Sequence, residues 1–98
     1  MRKNKPFPDG ISIIVPAFNE ATIIHKEISA IFEAMKVCKV PFEVIVVDDA
    51  SEDETREVVS KMKDVRVLRH TQNRGYGASL KTGIRNARYE VIGIVDGD

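Results

Sequence analysis

The chain has 98 residues, 43% of them hydrophobic, and its fifteen Lys and Arg balance its fifteen Asp and Glu to a formal charge of zero. That length and apolar content support one domain around one core and exclude a disordered segment. The neutral balance argues against nucleic acid as a partner, because phosphate-backbone binding needs a basic surface. No apolar run approaches the ~18 residues that cross a bilayer, and the basic start, Met1 to Pro6, lacks the apolar stretch of a signal peptide. One cysteine, Cys38, allows no internal disulfide and fits a reducing, cytoplasmic compartment. Two histidines and one cysteine, far apart in sequence, argue against a zinc site.

Residues 1–10, with Pro6, Pro8 and Gly10, read as a lead-in segment. Ile11 to Val15 is β-branched and of strand length, and Pro16, with no N–H, is expected to stop its ladder. A helix follows from Glu20 to about Val37, capped by Asn19, with Ile24, Ile28, Ile31 and Met35 on one face. Phe42 to Val47 is a second strand. Ser51-x-x-Glu54 has the capping-box pattern and opens a helix over 52–63, with Val58, Val59 and Met62 on a shared face. Val65 to Arg69 alternates more and reads as an exposed edge strand. A helix from Tyr76 to Arg88 is expected to bury Leu80, Ile84 and Ala87, with Gly75 and Gly77 allowing a tight entry into close packing. Val91 to Val95 is the fourth strand. It is a nearly continuous apolar run like the first and second, as for strands covered on both faces.

The order β-α-β-α-β-α-β implies an α/β fold: an open, mostly parallel four-stranded sheet with helices on both faces. Ligands of such sheets bind beyond the carboxyl ends of the strands, so the loops there carry the functional reading. After the first strand, Phe18 either stacks on a base or packs into the core, and Asn19 and Glu20 stand at a helix start. After the second, Asp48 and Asp49 place two repelling carboxylates side by side, a cost that suggests a task. Such a carboxylate accepts hydrogen bonds from a nucleobase N–H or a ribose hydroxyl. Ser51 is assigned the cap of the next helix, leaving both acids available. After the third, Gly75-x-Gly77 is followed by Leu80 where a dinucleotide fingerprint requires glycine, so that motif fails. Arg74 reads as a solvated charge. After the fourth, Asp96-Gly97-Asp98 offers two carboxylates on one side of an extended chain, suited to a hard cation such as Mg²⁺ or Mn²⁺. His25 is placed on the exposed side of its helix, His70 at a strand end and half-buried, and Cys38 at a helix end as a small apolar residue. No Gly-x-Ser-x-Gly elbow supports a serine nucleophile.

In order, Val15-Pro-Ala-Phe-Asn-Glu20, Val46-Val-Asp-Asp-Ala-Ser51, Asn73-Arg-Gly-Tyr-Gly-Ala78 and Asp96-Gly-Asp98 resemble family 2 glycosyltransferases of the GT-A fold. The Asn73 to Gly83 stretch is most similar to the dolichyl-phosphate mannosyltransferase and polyprenyl-phosphate glycosyltransferase branch. The resemblance covers residues 11–98 and implies a Rossmann-like nucleotide-sugar-binding half of such a domain. It implies that Pro16, Phe18 and Glu20 line the nucleotide pocket and that Val47 and Asp49 flank base and ribose. Asp96 would contact the donor diphosphate and, with Asp98, hold the metal. The implied reaction is inverting: a sugar moves from GDP-mannose or a UDP-sugar to an acceptor, a polyprenyl or dolichyl phosphate in that branch. The acceptor half follows the D-x-D motif in this family, so the chain reads as cut at that motif, with the isolated piece inactive. Its parent is expected at the cytoplasmic face of a membrane, and a homo-oligomer is left open. The alternative is a non-catalytic α/β nucleotide-binding or protein-interaction module. A receiver domain fits poorly, because its acid pair follows the first strand rather than the second.

Overall fold

The structure, a computed structural model, describes residues 9–96. The lead-in up to Pro8, and Gly97 and Asp98 of the D-x-D motif, lie outside the described residues. The elements are β1 (Ile11–Ala17), α1 (Ile24–Cys38), β2 (Phe42–Asp48), α2 (Thr55–Ser60), β3 (Val65–Arg69), α3 (Tyr76–Arg85) and β4 (Val91–Ile94). The sheet is parallel throughout, in the order β3-β2-β1-β4. β3 is an edge, as its sequence implies. β4 is the other edge, and Val91, Ile94 and Val95 are exposed, which corrects the expectation that this apolar run is covered on both faces.

β1 runs through Pro16, whose partner in register is Val47. The ladder survives because hydrogen bonding alternates sides along a parallel strand. Ile14 O accepts Val95 N–H on the β4 side, while Ala17 O accepts Asp49 N–H on the β2 side. Pro16 therefore turns its missing N–H to the β4 side, where β4 has already ended, and its absence costs nothing.

Side-chain alternation splits the core in two. Ile13, Val15, Val44 and Val46 meet Ile24, Ile28 and Ile31 of α1 and Val59 of α2 on one face. Ile14, Ile45 and Val47 meet Leu80, Ala87 and Leu68 on the other, under α3. All four apolar positions assigned to α1 are buried. The face of α3 differs from expectation. Ser79 and Gly83 are its buried residues, and Ile84 is 46% exposed. α3 lies so close to β1 that a Cβ on Gly83 would come within 2.5 Å of Ile14 Cγ2. Gly77, by contrast, has open space around its Cβ position, so the close packing is at Gly83 and not at the helix entry.

The α3 face also carries a buried polar cluster at the amino ends of the strands, inside runs that read as apolar. Glu43, 8% exposed, accepts from Ser12 Oγ at 2.6 Å, from Arg66 Nη1 at 2.7 Å and from Arg88 N at 2.6 Å. Ser12 Oγ in turn accepts Tyr89 N–H, so the cluster fastens the α3–β4 connection under the sheet. Burial pushes the Glu43 carboxyl up, but the bonds from Ser12, Arg88 and Arg66 outweigh it and hold it below the usual range.

Two outcomes follow from this packing. Gly83→Ala, despite its better helix propensity, lowers stability by about 1–3 kcal/mol through overpacking on Ile14. Gly77→Ala raises it by up to about 1 kcal/mol, so the urea midpoints of the two variants move in opposite directions. Glu43, with its folded pKa depressed, contributes stability above the ordinary glutamate range and loses it as pH falls through the folded value. Glu43→Gln is consequently less stable than wild type at neutral pH, and urea titrations at successively lower pH show the gap closing.

Candidate functional site

A cleft of about 380 Å³ opens at the carboxyl ends of the strands. That volume lies within the ~300–1,000 Å³ of small-molecule sites. One wall is the β1–α1 loop, with Pro16, Phe18 and Glu20; the other is the start of α3, with Gly75, Tyr76 and Ser79. Asp49 and Asn73 lie between them, and Asp96, beyond β4, lines the mouth. A second depression, of about 450 Å³, lies beside Phe42, Glu43 and Arg66 at the amino ends. It is on the wrong side of a parallel sheet for a ligand site, and Glu43, one of its two acids, is already paired with Arg66.

β2 delivers Asp48 and Asp49 to opposite faces of the sheet, and each ties down one neighbouring loop. Asp48 Oδ1 accepts Ser51 Oγ at 2.5 Å, and Ser51 Oγ accepts Asn19 N–H at 3.0 Å. Asn19 Oδ1 accepts Glu52 N–H at 2.8 Å, Thr55 Oγ1 accepts Glu20 N–H at 2.8 Å, and Asp53 accepts Ala21 N–H. Asn19 and Ser51 therefore join two loops rather than capping α1 and α2, whose first-turn caps are Ile23 and Glu54. Asn19, at φ 52°, takes the left-handed conformation that asparagine tolerates best among residues with a Cβ.

Asp49 binds the other wall. Its Oδ1 accepts Arg74 N–H at 2.9 Å, its Oδ2 accepts Gly75 N–H at 2.9 Å, and its backbone carbonyl accepts Asn73 Nδ2 at 3.3 Å. Gly75, at φ +98°, adopts a conformation that side-chain-bearing residues rarely take, and this turns its N–H onto the carboxylate. Burial pushes the Asp49 carboxyl up, but the bonds from His70, Arg74 and Gly75 prevail and hold it below the usual range. It is a carboxylate at neutral pH.

His70 is the residue that the sequence undervalues. It is 6% exposed, with Nδ1 2.7 Å from Asp49 Oδ1 and Nε2 2.8 Å from Thr82 Oγ1. Its signal was positional. Asp48 pairs in register with Arg69, so Asp49 and His70 are the next neighbours beyond the two strand ends.

Of the sequence-derived site residues, Pro16, Phe18, Glu20, Asp49 and Asp96 come together at the cleft. Phe18, 45% exposed, belongs to the cleft wall and not the core. Val47 is fully buried beneath α3 and does not line the cleft. Asp96 is exposed and accepts Tyr76 OH at 3.0 Å, while Asp98 lies outside the described residues. Arg74 meets the site through its backbone, its side chain being exposed. His25 and Cys38 are exposed, Cys38 as the last residue of α1.

The fold recurs in known proteins. A mannosyltransferase from Pyrobaculum calidifontis, solved with GDP-Man and Mn²⁺, superposes with a TM-score of 0.75 at 33% identity, covering 91% of this chain and 27% of that one. Glucosyl-3-phosphoglycerate synthase from Mycobacterium tuberculosis, solved with Mn²⁺, UDP and glucosyl-3-phosphoglycerate, gives 0.76 at 26% identity, covering 92% and 34%. In sequence, dolichyl-phosphate beta-glucosyltransferase of Mus musculus is 33% identical over 99 residues, spanning 90% of this chain and 31% of the relative. Chondroitin synthase of Pasteurella multocida (strain Pm70) is 30% identical over 93 residues, spanning 91% and 9%. The chain thus spans about a third or less of the length of these proteins. Residues 12–98 match the profile of glycosyl transferase family 2, and the chain belongs to that family.

Proposed function

We propose that residues 11–98 form the donor-binding part of an inverting glycosyltransferase that moves a hexose from a UDP- or GDP-sugar to a polyprenyl or dolichyl phosphate. The observation that carries this reading is the cleft itself, with Phe18 on one wall, Asp49 at its floor and Asp96 at its mouth. The exposed Phe18 ring offers a stacking surface to a base. Asp49 offers a carboxylate acceptor to a base or ribose donor. The first turn of α3 presents its N-terminus to the cleft, an end that favours phosphate. The ligands named for the two similar structures, GDP-Man and UDP, support the donor class.

The lining also makes a cation part of the proposal. Glu20, Asp49 and Asp96 line the cleft, and among the described residues no Lys or Arg does. A diphosphate placed among carboxylates needs a counter-charge. The described residues contain no cluster of three metal-ligating side chains, so Asp96 would hold a Mg²⁺ or Mn²⁺ together with Asp98 and the donor's own oxygens. When bound, the cation would neutralise charge on the departing nucleoside diphosphate. A polyprenyl phosphate supplies an ionised nucleophile, so this chain need not contribute a strong general base. That acceptor, supported by the dolichyl-phosphate relative, would place the protein at the cytoplasmic face of a membrane.

Titration of the chain with UDP and GDP, with and without Mn²⁺, tests the reading by NMR. Shifts are expected at Phe18, Asn73, Gly75 and Tyr76, and a flat titration with both nucleotides would sink it in favour of an interaction module. Asp49→Asn weakens binding in both conditions, by about tenfold for a charged hydrogen bond. Asp96→Asn mainly removes the enhancement by Mn²⁺, and equal effects of both variants in both conditions would contradict these separate roles.

A further inference from the structure

The buried His70 and its partner Thr82 are not among the residues that line the cleft; His70 reaches it only through Asp49. Asp49 is ionised, and an ionised carboxylate only accepts, so the hydrogen at His70 Nδ1 is donated to Asp49 Oδ1 over 2.7 Å. On the far side of the ring, Nε2 meets Thr82 Oγ1 in the body of α3 at 2.8 Å. Together with Arg74 N–H and Gly75 N–H, the ring fills three of the roughly four acceptor positions of the Asp49 carboxylate. The remaining rim lines the cleft.

We propose that His70, braced by Thr82, is a positioning residue of the donor site. It locks the Asp49 carboxylate in the orientation that gathers the Arg74 and Gly75 amides and leaves one acceptor turned to a ligand N–H. The inference rests on the donor-binding reading for its consequence in affinity, but the locking itself exists in the ligand-free protein. A histidine that only filled space would be replaced well by leucine. One that positions Asp49 is replaced better by asparagine, whose amide nitrogen takes the place of Nδ1.

The test uses His70→Leu, His70→Asn and Thr82→Val with two readouts. Calorimetry with UDP and with GDP in Mn²⁺ is expected to show affinity about tenfold weaker in His70→Leu, substantially restored in His70→Asn, and intermediate in Thr82→Val. Amide hydrogen exchange in nucleotide-free protein is expected to show Arg74 and Gly75 losing protection in His70→Leu and keeping it in His70→Asn. Wild-type protection at both amides in His70→Leu, or no advantage of asparagine over leucine, overturns the proposal. If wild type binds neither nucleotide, the donor reading fails while the exchange measurement still decides the role of His70. If His70→Leu does not fold, Thr82→Val and His70→Asn carry the test: wild-type exchange and affinity in Thr82→Val, or lost protection of Arg74 and Gly75 in His70→Asn, overturns the proposal.

Discussion

The alternation of side chains at the end of β2 is the constraint on which the cleft depends. Successive residues of a strand face opposite sides. Asp48 therefore continues the row of Val44 and Val46 beneath α1 and α2, and Asp49 continues the row of Ile45 and Val47 beneath α3. Two acids adjacent in sequence thus escape each other and serve different loops. Asp48 holds the β1–α1 loop through Ser51 and Asn19, and Asp49 holds the β3–α3 loop through two backbone amides. Both walls of the cleft are fastened to one strand end, so their separation is set by the backbone of β2 and not by flexible side chains.

The α3 face shows why polar groups are buried at both ends of the sheet. Its apolar strip is narrow, formed around Ile14, Ile45 and Val47, and Gly83 settles onto Ile14. Apolar contact is non-directional and leaves a helix free to slide along such a strip. Directional bonds remove that freedom: Glu43 and Ser12 fasten the exit of α3 below, and Asp49 and His70 fasten its entry and body above. A buried carboxylate is costly unless its acceptors are filled. Here each has three donors, so the desolvation is offset where the helix position is fixed.

Periodicity made the element order and the buried stripe of α1 legible, because both depend on local spacing that the sheet then covers. The convergence of loops at strand ends in parallel sheets pointed to the segments that hold Phe18, Glu20, Asp49 and Asp96, but their assignment to a nucleotide pocket came from the resemblance to family 2 glycosyltransferases. What failed was the assignment of local partners. Asn19 and Ser51 carry the chemistry of helix caps, but the same acceptors can be claimed by amides more than thirty residues away. Ser12 and Glu43 were hidden in apolar runs, since their partners come from β3 and from the α3–β4 connection, which no short window contains. Ile84 followed the helical period of Leu80, yet the close approach at Gly83 rotates the contact line of α3 and leaves Ile84 exposed.

Charge placement gives the cleft its chemical direction. The chain is neutral overall, but its cleft gathers three carboxylates and no described cationic side chain, so the local balance differs from the global one. An apolar or cationic ligand would meet that lining without assistance, whereas a nucleoside diphosphate would not. The backbone amides nearest the floor, those of Arg74 and Gly75, already donate to Asp49 and cannot also cradle phosphate. What would remain for a diphosphate is the positive end of α3 and, as proposed, a cation held at Asp96. On the proposed donor-binding reading, the paired amides would make a cation necessary at this acidic site: the donors that would serve phosphate in a glycine-rich cradle are spent here on orienting a carboxylate.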